Sequence, residues 1–162
     1  MNVASNIWHC MQYRKEDSLK DTILIDFDGV IRHWRSEVIE QVEAVEAAID
    51  DDFIKCIRSM APEARLVLVT NATSKLTNDL AKYDLIGKFD FVINSADIGV
   101  AKPEPEFFAK SVRLVNRKVA DCVFIDDSVE NVQSAQEVGI QSLHFKSVIK
   151  TLQFIKQHCI MQ

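Results

Sequence analysis

Residues 22–30 read TILIDFDGV, and this stretch decides the fold. Its first residues are β-branched or otherwise apolar, which is typical of a buried parallel strand, and we expect a strand from Thr22 to Phe27. Asp26 and Asp28 place two carboxylates at the end of that strand. Gly29 follows directly and permits a sharp turn. The stretch therefore predicts a buried strand that delivers acidic side chains to one edge of a sheet.

Four further apolar runs have the character of strands, and segments with helical spacing separate them. The runs are Arg65 to Val69, Phe89 to Asn94, Asp121 to Ile125 and Ile140 to Phe145. Strands that alternate with helices predict βα units and a mostly parallel sheet. We therefore expect an α/β fold, a three-layer α/β/α Rossmann-like domain with a mostly parallel central sheet.

The segments between the strands carry helical patterns. One helical face is expected from Val38, Val42, Val45 and Ile49, and a second from Phe107, Phe108, Val112 and Val115. Ser128 is a suitable cap for a helix that Gly139 ends. A closing helix is expected from Lys146 to Ile160. These faces are expected to pack into the core.

The length and composition fit one domain. The chain has 162 residues, of which 48% are hydrophobic and 27% charged, so it can bury a sizeable core. We expect an N-terminal leader at residues 1–20 and a single core domain at residues 21–162. The sequence leaves open whether the domain forms a homo-oligomer.

Charge and cysteine content argue against several classes of protein. The net charge of −5 and the absence of a long Lys/Arg run argue against nucleic-acid or anionic-membrane binding. No apolar stretch approaches the roughly 18 residues that a membrane helix needs. The four cysteines are scattered, which indicates neither a zinc site nor a disulfide framework. We expect a cytoplasmic protein with reduced thiols.

Polar residues follow three of the predicted strands at their carboxyl ends. They are Asp26, Thr70 and Asp126. In parallel α/β sheets, ligands bind beyond the carboxyl ends of the strands, because loops and helix N-termini meet there. The sequence therefore predicts a functional site at this edge of the sheet.

Carboxylates in this arrangement suit phosphoryl transfer. Asp26 can attack phosphorus, and Asp28 can protonate the leaving oxygen and then activate water. Because the nucleophile and the phosphate are both anionic, a Mg²⁺ ion held by hard oxygen ligands would lessen their repulsion. We predict a magnesium-dependent phosphatase. The predicted metal ligands are Asp26, Asp28, Asp126 and Asp127.

Two further residues complete the predicted catalytic set of Asp26, Asp28, Thr70 and Lys102. Lys102 can neutralise phosphoryl charge and anchor Asp26, and the Thr70 hydroxyl can donate to a phosphate oxygen. The residues expected to contact the phosphate or the rest of the substrate are Gly29, Arg32, Thr70, Asn71 and Lys102. The basic and aromatic run at residues 32–35 either contacts the substrate or forms a solvated flap. His144 has no partner at ligand spacing, so we interpret it as structural.

These residues lie in four short stretches in a fixed order, which are Ile25 to Val30, Val69 to Asn71, Lys102-Pro103 and Ile125 to Ser128. Over roughly Thr22 to Phe145 the four stretches resemble the four motifs of the haloacid dehalogenase superfamily. The resemblance implies that Asp26 is the nucleophile and that Asp28 is the acid/base, whose main-chain oxygen also meets magnesium. It implies a phosphate-binding Thr70, a charge-balancing Lys102 and a direct metal ligand in Asp127. Asp126 would act through water or from the outer shell, where Asn131 would also lie. The run FIDDSVENV is most similar to the subfamily I branch that contains sugar-phosphate phosphatases and the phosphatase domain of soluble epoxide hydrolases.

Related proteins commonly insert a helical cap between the first and second motifs. Only about 40 residues separate Asp28 from Thr70 here, and the core itself needs a crossover helix and a strand in that interval. We therefore expect at most a cap remnant at residues 32–50. The resemblance implies that members without a cap accept large substrates. Small phosphorylated metabolites and phosphoesters exposed on a macromolecule both stay open as substrates.

Two alternatives compete with the phosphatase. A dehalogenase would use the same aspartate to attack carbon, but the proton-handling Asp28 and the metal ligands favour phosphate chemistry. A binding or regulatory module that kept the fold without turnover is the second alternative, because fold ancestry does not decide activity.

Overall fold

The computed structural model describes residues 19–39 and 42–160, with side chains at residues 19–34 and 47–160. The predicted leader at residues 1–20 lies almost wholly outside this range. The strands are β1 (Thr22–Ile25), β2 (Arg32–Ile39), β3 (Val42–Ile49), β4 (Arg65–Thr70), β5 (Phe91–Asn94), β6 (Cys122–Asp126) and β7 (Gln141–His144). The helices are α1 (Asp51–Met60), α2 (Leu76–Lys82), α3 (Ser95–Ile98), α4 (Pro105–Leu114), α5 (Val129–Val138) and α6 (Val148–Cys159), with a 3-10 turn at Val119–Asp121.

Five of the strands form one parallel sheet in the order β5-β4-β1-β6-β7. β1 lies in the middle, where Ile25 is in register with Leu68 of β4 and with Ile125 of β6. Along the chain, β4 and β5 add to one side of β1, and β6 and β7 then add to the other side. The ends of β1, β4 and β6 therefore flank the topological switch point, where α/β proteins bind ligands.

The side chains of β1 alternate between two hydrophobic cores. Ile23 and Ile25 point into a core that contains Phe53 of α1, whereas Leu24 points into a core that contains Phe108 of α4. All of these side chains are buried. Because helices cover both faces of the sheet, the predicted three-layer α/β/α architecture is confirmed.

Most predicted elements are present with small shifts at their ends. The five predicted strands correspond to β1, β4, β5, β6 and β7. Ser128 caps α5 by accepting from the Asn131 N–H at 3.4 Å, and Gly139 ends that helix at φ +97°. The closing helix is α6. No helix in the described part of the chain has the length and apolar character needed to cross a membrane.

The predicted helical face of Val38, Val42, Val45 and Ile49 is wrong. This segment is an antiparallel hairpin of β2 and β3, with register from Arg32 opposite Ile49 to Ile39 opposite Val42. It forms a two-stranded sheet separate from the central one. We refer to it below as the hairpin.

The physical reason for the hairpin lies at its base. The Gly29 N–H donates to the Arg32 carbonyl at 2.8 Å, and the Asp50 N–H donates to the Ile31 carbonyl at 2.9 Å. The chain must therefore leave and return to the same point between residues 32 and 49, and two paired strands satisfy their own backbone groups on the way. The Glu, Gln and Ala residues of this segment favour helix locally, but this tertiary constraint outweighs their propensity.

Candidate active site

The carboxyl ends of the three central strands lie side by side and carry buried polar side chains. Asp26 directly follows β1, Thr70 ends β4 and Asp126 ends β6. The Asp26 N–H donates to the Ile125 carbonyl at 2.9 Å, which fixes Asp26 against the neighbouring strand. The structure thus brings these three sequence-predicted residues to one edge of the sheet.

Lys102 joins these strand ends through its ammonium group. Its side chain is 2% exposed, and Nζ donates to Asp26 Oδ1 at 2.5 Å and to Asp126 Oδ2 at 2.7 Å. A third bond runs to the Val69 carbonyl at 3.1 Å. Charge-assisted bonds of this kind hold geometry well in a buried site. Lys102 is therefore fixed beside the proposed nucleophile.

Asn71 holds the backbone of Lys102 in place. Its side-chain Nδ2 donates to the Lys102 carbonyl at 2.8 Å, and its Oδ1 accepts from the Lys102 N–H at 3.0 Å. Both polar ends of the amide are thus used on one residue. In this geometry Asn71 positions Lys102, whereas its predicted contact with phosphate stays a prediction.

Asp126 is fully buried, and hydrogen bonds occupy both of its carboxylate oxygens. Oδ1 accepts from the Ser128 N–H at 2.8 Å and from Asn131 Nδ2 at 2.9 Å, while Oδ2 accepts from Lys102. These partners orient the carboxylate at the start of α5. The arrangement suits an orienting role for Asp126, and it places Asn131 one residue further from the site centre.

Three carboxylates come close enough to share a metal ion. One oxygen each from Asp26, Asp126 and Asp127 lies within 4.8 Å of the others. This is an all-oxygen donor set, which suits Mg²⁺. The three carboxylates carry three negative charges and Lys102 one positive charge, so a formal charge of −2 stays unbalanced. A divalent cation fits both the donors and the charge.

The pKa values reflect the same excess of negative charge. Burial raises the pKa of Asp26 to about 7, and the charge of Asp126 adds to this, although Lys102 acts in the opposite direction. Burial and the charge of Asp126 also raise the pKa of Asp127. Without a further cation, the cluster holds its full negative charge only at a cost in free energy.

Gly29 makes room for the Asp127 carboxylate. Its φ is +85°, and a Cβ at this position would lie 2.0 Å from Asp127 Oδ2. The loop after the predicted nucleophile Asp26 and the residue after β6 therefore approach each other at a point where only hydrogen fits. Glycine is needed here both for its backbone conformation and for this close approach.

We expect Gly29→Ala to weaken magnesium binding by on the order of tenfold or more, because the new methyl group displaces the Asp127 carboxylate. Gly87→Ala is a matched control, since Gly87 has φ +80° and open space around its Cβ position. Both variants should lose roughly 1–2 kcal/mol of stability from the left-handed backbone. Isothermal titration with Mg²⁺ and urea unfolding measure the two effects. Equal magnesium affinity in the two variants would contradict the prediction.

Both carboxylate oxygens of Asp28 accept hydrogen bonds from Arg32. Arg32 Nε donates to Asp28 Oδ1 at 2.6 Å and Arg32 Nη2 donates to Oδ2 at 2.8 Å, so the pair is bidentate. Arg32 Nη1 donates to Asp79 of α2 at 2.8 Å. Hydrogen bonding to Asp28 is the main cause that raises the pKa of Arg32. The guanidinium is occupied by two carboxylates, and its predicted contact with substrate stays a prediction.

Three contacts near the site were not predicted from the sequence. Asp79 is 47 positions from Arg32, and no local pattern links the two. Asn94 is in register with Thr70 and donates to the Thr73 carbonyl at 3.0 Å, which holds the loop after β4. His144 Nε2 lies 2.9 Å from the carbonyl of Asp127, one of the predicted metal ligands. His144 was interpreted from the sequence as structural, and its contact with Asp127 was not predicted.

A family model for haloacid dehalogenase-like hydrolases matches residues 32–139 of the chain. This match covers well over half of the sequence, so the chain belongs to the haloacid dehalogenase-like hydrolases. The match begins after Asp26 and Asp28, and their assignment therefore rests on the motif and on the geometry described above.

Named relatives include phosphatases. A sesquiterpene phosphatase of Aspergillus oryzae is 35% identical over 69 residues, which is 43% of this chain and 35% of that protein. The 6-phosphogluconate phosphatase of Escherichia coli is 25% identical over 117 residues, 69% of this chain and 50% of that protein. The chain thus spans half or less of the length of these curated relatives.

Solved structures share the fold. A predicted haloacid dehalogenase-like hydrolase from Porphyromonas gingivalis superposes with a TM-score of 0.67 at 19% identity, over 85% of this chain and 98% of that one. A family enzyme from Bacteroides thetaiotaomicron, in complex with magnesium and inorganic phosphate, gives a TM-score of 0.66 at 18% identity, over 80% and 95%. At these identities the likeness establishes the fold.

Proposed function

We propose that the chain is a magnesium-dependent phosphomonoester hydrolase that works through an aspartyl-phosphate at Asp26. The observation that carries this proposal is the buried Lys102 between Asp26 and Asp126. The Lys102 ammonium bonds to Oδ1 of Asp26 and to Asp126, and Oδ2 of Asp26 has no bond to Lys102. An ammonium at this point also stabilises negative charge on a phosphoryl group as that group transfers.

In the first step, a carboxylate oxygen of Asp26 forms a bond to phosphorus. The bond from phosphorus to the ester oxygen breaks, its electron pair stays on that oxygen, and a proton from Asp28 neutralises the leaving alcohol. In the second step water attacks phosphorus, gives a proton to Asp28, and the bond to Asp26 breaks. For this role, Asp28 exchanges one of its two Arg32 hydrogen bonds for the substrate oxygen or the water.

The residues proposed to hold magnesium are Asp26, Asp127 and the main-chain oxygen of Asp28, with Asp126 and Asn131 behind them. When bound, Mg²⁺ would offset the repulsion between the Asp26 carboxylate and the phosphate. The Thr70 hydroxyl binds a phosphate oxygen in this proposal, and the Gly29 N–H joins it by exchanging its bond to the Arg32 carbonyl. Lys102 balances the remaining charge.

The names of the relatives support phosphate esters as the substrate class. Among them are a sesquiterpene phosphatase, a 6-phosphogluconate phosphatase and a flavin mononucleotide hydrolase. We propose a small phosphorylated molecule as the first substrate to test. A phosphoester on a macromolecule is the second, because a hairpin occupies the place where related proteins insert a cap. A cytoplasmic location and a homo-oligomer stay predictions.

We expect the full chain to release phosphate from at least one member of a panel of sugar phosphates, aryl phosphates, nucleotides and phosphopeptides. Removal of magnesium with EDTA should stop the release, and added Mg²⁺ should restore it. An Asp26→Asn variant purified in parallel serves as the blank for contaminating phosphatases. A folded chain that binds Mg²⁺ and releases no phosphate from any compound would contradict the proposal.

A second candidate is a binding or regulatory module that keeps the magnesium site without turnover. It is favoured by one observation, the bidentate pair in which Arg32 occupies both oxygens of Asp28. If that pair stays closed, no proton reaches the leaving group. This candidate predicts tight Mg²⁺ and phosphate binding with no turnover in the same panel.

A further inference from the structure

An exposed tryptophan stands beside the candidate active site. Trp34 lies on β2, the strand that follows the nucleophile loop, and it is 57% exposed. Tryptophan is highly buried on average, because its ring carries a large apolar area. An indole left open so close to catalytic groups is therefore a candidate binding surface for part of the substrate.

The alternation of side chains along β2 directs Trp34 to the same face as Arg32. The contacts agree, since the Arg32 guanidinium lies 5.0 Å from the Trp34 ring centroid and 4.4 Å from the ring of Phe27. His33 points to the other face, where its ring is 6.2 Å from that of Phe145. The Arg32 guanidinium thus contacts both the Trp34 ring and the carboxylate of Asp28.

The described side chain opposite Trp34 does not cover the indole. Across the pair, Trp34 is in register with Ala47, whose methyl group is too small to cover an aromatic ring on the same face. Among the described residues, the Arg32 guanidinium is the cation that contacts this ring. With 57% of Trp34 exposed, part of the indole surface is open to a bound molecule.

Arg32 also fixes the orientation of the indole. The residue is 7% exposed, and three hydrogen bonds to Asp28 and Asp79 hold its guanidinium in one plane. A cation against an aromatic ring is a favourable contact. The ring is therefore held ready before a ligand arrives, which lowers the entropy cost of stacking.

We propose that Trp34 is a specificity-determining residue that stacks on the leaving group, and that the preferred substrates are phosphomonoesters whose alcohol portion carries a flat ring. This rests on the proposed function for its kinetic part. With the phosphate between Lys102 and Thr70, the ester oxygen points away from Asp26 along the line of attack. The group beyond that oxygen extends out of the sheet edge, where Arg32 contacts both the Asp28 carboxylate and the Trp34 ring.

The kinetic test compares phenyl phosphate with glycerol 3-phosphate. We expect Trp34→Ala to raise KM for phenyl phosphate roughly three- to tenfold, in line with the strength of aromatic pairs, at nearly constant kcat. KM for glycerol 3-phosphate should not change, and Trp34→Phe should recover most of the loss. Ile149→Ala, which truncates a 71% exposed side chain on α6, is the matched control and should leave both substrates unaffected. Equal changes for both substrates, or none, would overturn the proposal.

A binding test separates this inference from the proposed function. The chain has two tryptophans, so in a Trp8→Phe background the fluorescence reports Trp34 alone. With Asp26→Asn added to prevent turnover, phenyl phosphate should quench this signal saturably and glycerol 3-phosphate should not. Saturable quenching together with no phosphate release by the wild type would leave the stacking role standing and refute the phosphatase. No selective quenching, or a signal that changes only with protein concentration because a second copy covers the ring, would overturn the stacking role.

Discussion

Asp26→Asn is expected to reduce phosphate release by on the order of 10³-fold or more, while the protein stays folded. The amide keeps nearly the same shape as the carboxylate but cannot attack phosphorus. Lys102 keeps its bonds to Asp126 and to the Val69 carbonyl, so the surroundings of residue 26 should change little. Phosphate release under saturating Mg²⁺ and thermal unfolding measure the two parts of this prediction.

The same variant has a predicted effect on the pH dependence of stability. Burial raises the pKa of Asp26 to about 7 from an ordinary value of 3.8, so in EDTA the folded state binds a proton that the unfolded state releases. The stabilising contribution of this group is therefore present at low pH and lost as the pH rises from about 4 to about 7. Asp26→Asn should lose less stability than the wild type across this window. Parallel curves of unfolding free energy against pH would contradict the assignment.

Lys102→Met is expected to destabilise the fold by about 3–5 kcal/mol, because it leaves the carboxylates of Asp26 and Asp126 buried without their cation. Phosphate release should fall by about 10²–10³-fold, since the charge beside the transferring phosphoryl group is lost. Urea unfolding in EDTA and steady-state kinetics in Mg²⁺ measure the two effects separately.

Two further variants test the cause of the Lys102 effect. Lys110→Met removes a surface pair with Glu106 at 3.1 Å, and it should change stability by less than about 0.5 kcal/mol. Adding Asp126→Asn to Lys102→Met should recover part of the lost stability but not the activity, because it removes one uncompensated charge. A free energy of unfolding for Lys102→Met within about 1 kcal/mol of the wild-type value would contradict the stabilising role of the buried ion pair.

The fold was predictable because each central strand is a short apolar run buried on both faces. Ile23, Leu24 and Ile25 enter two different cores, and such strands show as continuous hydrophobic stretches in sequence. The convergence of Asp26, Thr70 and Asp126 was predictable for a related reason, since parallel strands end at the same edge. Both inferences use only the period and direction of strands.

The hairpin was not predictable from local pattern. Residues 32–49 have helical spacing and a composition that favours helix. The hydrogen bonds that close the base of the hairpin join Gly29 to Arg32 and Asp50 to Ile31, and the spacing does not reveal them. Pairs distant in sequence were missed for the same reason. Arg32 meets Asp79, and Asn71 clamps the backbone of Lys102, only after the sheet has formed. Such contacts depend on tertiary structure and leave no periodic signal.

The central claim is that phosphate is carried on Asp26 during turnover. Rapid acid quench of the wild type with a turned-over substrate and Mg²⁺, followed by peptide mass spectrometry, measures this directly. The account predicts a hydroxylamine-labile phosphoryl group on the peptide that contains residues 22–30, at Asp26, and its absence in EDTA and in Asp26→Asn. Magnesium-dependent turnover that continues in Asp26→Asn, or a phosphoryl group found on another residue, would contradict it.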